Sequence, residues 1–254
     1  MIHSTSFDNC KEIGCFVNLT NSFCLIGNGT SYNTYSVFDS ELSKYMPVVQ
    51  CAVADTGLLG RLTIGNKHGL LVPSTINDHE LMNIRNSLPD KVKIRKIDDR
   101  LSALGNCIAC NDHVALIHPE FERESEEIIS DILGVETFRT SVAQNPLVGA
   151  NCVFNNKVLC GVTSQGGLFH PQTTMEEIEE LTNLLQIPIC SGTVNGGSEV
   201  IAGGLVANDF MAFCGTPSSN ARLHYYFVRN QHDQANSPVK MLSRFLLPNL
   251  APLY

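Results

Sequence analysis

A periodicity of about 45 residues constrains this chain more than any other feature of it. With Asn followed by an apolar stretch as the phase marker, Asn21, Asn66 and Asn111 stand 45 residues apart. The next clear marker, Asn208, is 97 residues further on, two periods plus about 7 residues. The surplus has a location. Gly60 to Pro73 spans 13 residues and Gly105 to Pro119 spans 14, but the corresponding Gly149 to Pro171 spans 22. An insertion of about 8 residues therefore sits near 157–164, and Asn156 becomes the fourth marker. Five units then fill residues 1–225, and residues 226–254, with Pro238, Pro248 and Pro252, read as an irregular C-terminal tail.

The units share a grammar. A glycine precedes each marker by five to seven residues: Gly14, Gly60, Gly105, Gly149 and Gly203. Such a position suits a tight turn with positive φ. An apolar strand follows, as in Leu70–Val72, Val114–Ile117 and Leu168–Phe169, ended in the middle units by Pro73, Pro119 and Pro171. A helix comes next. Leu81, Ile84 and Leu88, and later Ile178, Leu181, Leu184 and Leu185, recur at helical spacing with one face buried. Asn77 with Glu80, and Thr173 with Glu176, supply N-terminal caps, whereas the helix of Ile128, Ile129, Ile132 and Leu133 has a weak one. A short strand closes each unit, at Val48–Val49, Val92–Ile94, Val135–Phe138 and Ile187–Ile189. One ββαβ-like unit cannot bury both its sheet and its helix. Five can, closed into a ring with strands around a central axis and helices outside.

Charge limits the partners. The chain carries −8 overall, and residues 1–225, with 14 basic against 24 acidic side chains, carry −10. Sequence-independent nucleic-acid binding rests on Lys and Arg neutralising phosphates, so an acidic body is a poor candidate for it. No apolar run approaches the roughly 20 residues of a membrane helix. The start, Met1 to Phe7, has no cationic or apolar segment, so no secretory signal is expected. The ten cysteines are then expected as reduced thiols packed as small hydrophobes.

Long ordered stretches carry a resemblance. Lys11–Cys15 (KEIGC), Gly65–Pro73 (GNKHGLLVP), Arg85–Asp90 (RNSLPD), Arg100–Asn106 (RLSALGN), Cys110–Asp112 (CND), Gln165–Leu168 (QGGL) and Gly192–Asn195 (GTVN) resemble the translation initiation factor 6 family of eukaryotes. The likeness runs from about Phe7 to Cys214. It implies the pentein fold, an α/β (α+β) propeller that is a five-fold pseudosymmetric ring of ββαβ-like units, in agreement with the repeat arithmetic. It further implies a protein without enzymatic activity or cofactor that binds the large (60S) ribosomal subunit on its intersubunit face. There it would block joining of the small subunit, and it would act in maturation and export of the large one. The implied partner is chiefly ribosomal protein uL14 beside the sarcin–ricin loop, with rRNA contact minor. The implied location is cytoplasmic and nuclear or nucleolar, and the implied free form a monomer. On this resemblance the ribosome-binding residues are Gly14, Arg61, Gly105, Asn106 and Val200.

Other constellations invite sharper chemistry. Cys107 and Cys110 form a CxxC pair near His113, but zinc needs a second ligand pair and none is spaced for it. His118-Pro119 and His170-Pro171 occupy equivalent repeat positions, which reads as one structural corner made twice. Pentein relatives include Cys–His hydrolases that modify guanidino compounds, and Cys190, Cys214, His170 and Asp209 could be gathered into such a set. None of their surroundings resembles an active-site motif. Lys91, Lys93 and Arg95 alternate with Val92 and Ile94, giving a strand with one basic and one apolar face, a solvated flank or a minor RNA contact.

Overall fold

The protein is known here from a computed structural model, which describes residues 2–7, 10–156 and 166–215. Among the described residues it is a mixed α/β fold of five three-stranded sheets. After β1 (Ile2–Thr5), the first unit runs through a 3-10 turn (Ile13–Cys15), β2 (Val17–Leu19), β3 (Cys24–Gly27), α1 (Tyr32–Leu42) and β4 (Val48–Cys51). The second comprises α2 (Leu59–Leu62), β5 (Ile64–Gly65), β6 (Gly69–Pro73), α3 (Asp78–Ser87) and β7 (Lys93–Ile97). The third comprises α4 (Leu104–Cys107), β8 (Ile108–Cys110), β9 (Val114–Ile117), α5 (Arg123–Leu133) and β10 (Glu136–Arg139). The fourth comprises α6 (Val148–Asn151), β11 (Cys152–Phe154), β12 (Gly167–Phe169), α7 (Met175–Leu185) and β13 (Ile189–Ser191). The fifth has α8 (Ile201–Gly204), β14 (Leu205–Ala207) and β15 (Ala212–Gly215).

Within each of the first four units a hairpin pairs the first two strands antiparallel, and the long helix returns the chain to add a third strand parallel to the second. The fifth sheet is completed from the other terminus. β14 pairs antiparallel with β15, and β1 lies parallel to β15 with Ile2 opposite Ala212 and Thr5 opposite Gly215. The repeat pattern gave no hint of this exchange. The first strands touch one another in the order β2, β5, β8, β11, β14 and back to β2. Cores form where the long helices cover the sheets. Ile84 and Leu88 of the second unit pack with Leu70, Val72 and Phe23, and Ile129 and Leu133 pack with Ala115, Ile117 and Ile97.

Local sequence explains the helix starts. Asn77 and Glu80 form a capping box on α3. On α7 the box is Thr174 with Glu177, one residue later than the Thr173–Glu176 reading. The Thr173 hydroxyl is committed elsewhere, donating to the His170 carbonyl at 2.7 Å. On α5 the N-cap Glu122 makes no side-chain cap bond, as its sequence predicts. The insertion near 157–164 and the tail at 226–254 lie outside the described residues.

Candidate functional site

The first strands have two ends, and each is built from one residue type repeated. At one end stand the short helical turns. Gly14, Gly60, Gly105 and Gly149 occupy their second positions, and none has positive φ. The requirement for glycine is close approach instead. A Cβ on Gly60 would lie 2.0 Å from the Gly14 carbonyl oxygen, on Gly105 2.2 Å from that of Gly60, and on Gly149 2.4 Å from that of Gly105. A Cβ on Gly14 would meet the carbonyl oxygen of Ala202. The fifth member of the set is therefore Ala202, not Gly203, which stands one position later. The five backbone turns stack against one another in sequence and line a cavity of about 110 Å³ between the first strands.

Around this cluster the structure brings the sequence-derived residues together. Arg61 donates from Nη1 to Asn106 Oδ1 at 3.1 Å and from Nε to Cys15 Sγ at 3.3 Å. These three residues hold the third position of consecutive turns, and at the equivalent place in the fifth turn Gly203 leaves room for the guanidinium. A Cβ there would lie 3.0 Å from Arg61 Nη2. Val200 is the N-cap of α8 and is 40% exposed. The equivalent N-cap positions in the second and fourth units are Leu58 and Leu147, 41% and 39% exposed. Sequence reasoning missed both leucines, although each stands two residues ahead of a set glycine. Three large aliphatic side chains thus stand out at matching places around a fixed arginine. Singly exposed apolar residues are ordinary; these three recur at one position of the repeat, on one end of the first strands.

The other end carries a polar belt. The Asn66 amide donates to the Asn111 carbonyl (3.1 Å), Asn111 to that of Asn155 (3.4 Å), Asn155 to that of Asn208 (3.5 Å), and Asn208 to that of Thr20 (2.9 Å). The set is Thr20, Asn66, Asn111, Asn155 and Asn208, so the phase markers Asn21 and Asn156 fall one residue late. Those two side chains do another job. The Asn21 and Asn156 amides each donate to both Asp112 Oδ2 and Asp209 Oδ2, over 2.5–2.9 Å. Lys67 Nζ stands 3.7 Å from Asp112, so all five units meet here. Burial, with the Asp112 charge adding, pushes the Asp209 carboxyl above the usual range.

The residues of the hydrolase set have other partners: Cys190 Sγ donates to the Gly167 carbonyl at 3.5 Å, and His170 Nε2 faces Glu199 at 3.5 Å. A nucleophilic thiol needs a lowered pKa. Burial pushes Cys190 up to about 12 and also raises Cys214, while Asp209 is engaged by Asn21 and Asn156. The CxxC pair is split between elements: Cys107 ends α4 rather than lying in a strand, and Cys110 ends β8. Burial raises both thiols, to about 11 and about 12. Among the described residues no cluster of three His, Cys, Asp or Glu side chains could hold a metal ion. The two His-Pro corners do match: His118 Nδ1 accepts from the Glu120 amide (3.0 Å) and His170 Nδ1 from the Gln172 amide (3.2 Å).

Comparison with known proteins agrees with the resemblance seen in the sequence. The eIF-6 family profile matches residues 2–225. Eukaryotic translation initiation factor 6 of Tetrahymena thermophila is 50% identical over 250 residues, covering 97% of this chain and 99% of that protein. Eukaryotic translation initiation factor 6-2 of Arabidopsis thaliana is 52% identical over 217 residues, 85% of each chain. The Candida albicans factor is 50% identical over 223 residues, 88% of each.

Proposed function

The chain belongs to the eIF-6 family of translation initiation factors, and from that premise we propose that it binds the large (60S) ribosomal subunit and sterically blocks joining of the small one. On this reading the five sheets form the closed pentein ring, and the end bearing the helical turns is the docking face. The carrying observation is the matched exposure of Leu58, Leu147 and Val200 around the Arg61–Asn106 pair. Apolar anchors surrounding a pre-positioned arginine are what a protein partner can desolvate. The acidic body speaks against a broad phosphate surface as the main partner. The partner is accordingly a ribosomal protein, uL14 beside the sarcin–ricin loop, with RNA at the margin. The mechanism is occupancy: a monomer seated on the intersubunit face leaves no room for the small subunit. Work in maturation and export of the large subunit, in nucleus, nucleolus and cytoplasm, belongs to the same proposal.

The test is light scattering of subunit joining together with sedimentation. The protein should slow joining in proportion to its occupancy of free large subunits and should not sediment with joined ribosomes. Equal binding to joined ribosomes would overturn the proposal.

A further inference from the structure

The five repeats supply an internal control on surface charge, and one unit departs from the rest. The third strand of each sheet lies at its edge. Edge strands are commonly protected by charge, a need that all five share. Yet β4 (VVQC) and β13 (ICS) carry no charge, β1 (IHST) carries only a histidine, and β10 (ETFR) one charge of each sign. β7 reads KIRKI and is preceded by Lys91. Edge protection therefore does not account for it.

The geometry separates these cations into two kinds. Lys96 is committed to Asp78 at 3.0 Å, as Arg139 of β10 is to Glu126 at 2.7 Å. Lys91, Lys93 and Arg95 are exposed, while Val92 and Ile94 turn the opposite way and join the core under α3. Asp90 precedes the strip, and the neighbouring α5 exposes Glu124, Glu127 and Asp131. Among the described residues none of these carboxylates pairs with the three cations. Lys93 and Arg95 stand two apart on β7, ~6.6–6.8 Å along one side, and Lys91 sits in the turn just ahead of them rather than in the strand that the sequence suggests. A run of unpaired cations on an acidic protein fits a polyanion whose charges also recur along one strand.

We propose that Lys91, Lys93 and Arg95 form a contact strip for an RNA phosphate backbone, on the flank of the second unit and apart from the face of helical turns. The strip is the marginal RNA contact that the proposed function leaves room for, and in that sense it rests on that reading. Its test does not use ribosomes, so the two can fail separately.

Anisotropy of a fluorescein-labelled RNA hairpin is followed with the full-length protein across a salt series. The strip variant K91E/K93E/R95E is compared with K44E/R85E/R123E, which makes the same change in net charge at exposed positions elsewhere. The strip variant should bind RNA at least tenfold more weakly at low salt. Its log–log salt slope should be shallower by about 2, from three phosphates at about 0.7 each. The control should stay within about threefold of the parent, the scale of unlocalised charge. Equal losses in both variants would overturn the proposal, and so would a parent protein that does not bind the hairpin at low salt. Anionic vesicles competing as well as unlabelled RNA would overturn it in favour of a lipid surface.

Discussion

Replacing Gly60 by alanine asks whether the five helical turns are as closely packed as the glycine pattern implies. The added Cβ would sit 2.0 Å from the Gly14 carbonyl oxygen and 2.6 Å from that of Val17, where ordinary contact begins near 3.4 Å. Both neighbours are backbone, so no side chain can rotate away, and relief requires moving one turn against the next by more than an ångström. Overpacking of this kind costs about 1–3 kcal/mol where side chains yield, so at least ~3 kcal/mol is expected here. For a chain of this size that corresponds to a melting point lower by about 6–12 °C. Ala202→Gly at the equivalent turn is the control. It removes a methyl, and its cost should be the conformational ~0.5–1 kcal/mol of glycine in a helix. Thermal unfolding followed by circular dichroism reads both. A Gly60→Ala protein melting within 2 °C of the parent would refute the close-approach account of these glycines.

Three further outcomes follow. Asn106→Ala removes the acceptor of Arg61 Nη1, and should cost under about 1 kcal/mol of stability in urea unfolding. The same change should weaken subunit binding severalfold, whereas a loss confined to stability would make Asn106 only a turn residue. Deleting 157–164 leaves Asn155 three residues ahead of the glycine whose amide it accepts, the spacing of Asn66 and Gly69, so the melting point should stay within about 2 °C; a drop above 6 °C would contradict it. The folded-state pKa of Asp209 is raised, so its contribution to stability is present at acid pH and lost as pH rises through the folded value. The stability of the parent relative to Asp209→Asn should accordingly fall between pH 4 and pH 7, and urea titrations showing the reverse slope would exclude a raised pKa.

The parts of this fold that repeat could be read from the chain. Turn, apolar strand and amphipathic helix recur with side chains of the same size and polarity, and the helix over 78–87 follows from Leu81, Ile84 and the Asn77–Glu80 box. Register within one residue could not be read, because adjacent candidates are chemically equal. Asn155 and Asn156 stand side by side, as do Thr173 and Thr174, and tertiary contacts choose between them. Gly203 next to Ala202 misled in the same way: the fifth turn tolerates a methyl at the packed position and carries its glycine one residue on, beneath Arg61. The hairpins ahead of α2 and α6 have positive φ at Ala54–Asp55 and Ala143–Gln144, without the Asn-Gly signal that would announce them. In the first of them Glu80 compensates by accepting both turn amides at 2.9 Å. Completion of the fifth sheet by β1 is a pairing of residues more than 200 apart, which no local pattern encodes. Of the proposed docking face, the arginine and asparagine were legible through resemblance, while Leu58 and Leu147 were not. An exposed leucine two residues ahead of a helical glycine looks in sequence like any core leucine.

On the proposed function the end bearing the helical turns, and not apolar exposure in general, holds the large ribosomal subunit. Binding of labelled protein to purified large subunits tests it most directly. Two triple variants are compared, Leu58→Ser, Leu147→Ser and Val200→Ser on the face, and Tyr32→Ser, Met82→Ser and Met175→Ser on exposed apolar residues of the long helices. With each of three interface anchors worth about 1 kcal/mol or more, the face variant should bind at least about 100-fold more weakly, and the helix variant should stay within about threefold of the parent. Equal affinity for the two variants, or a larger loss from the helix positions, would contradict the claim.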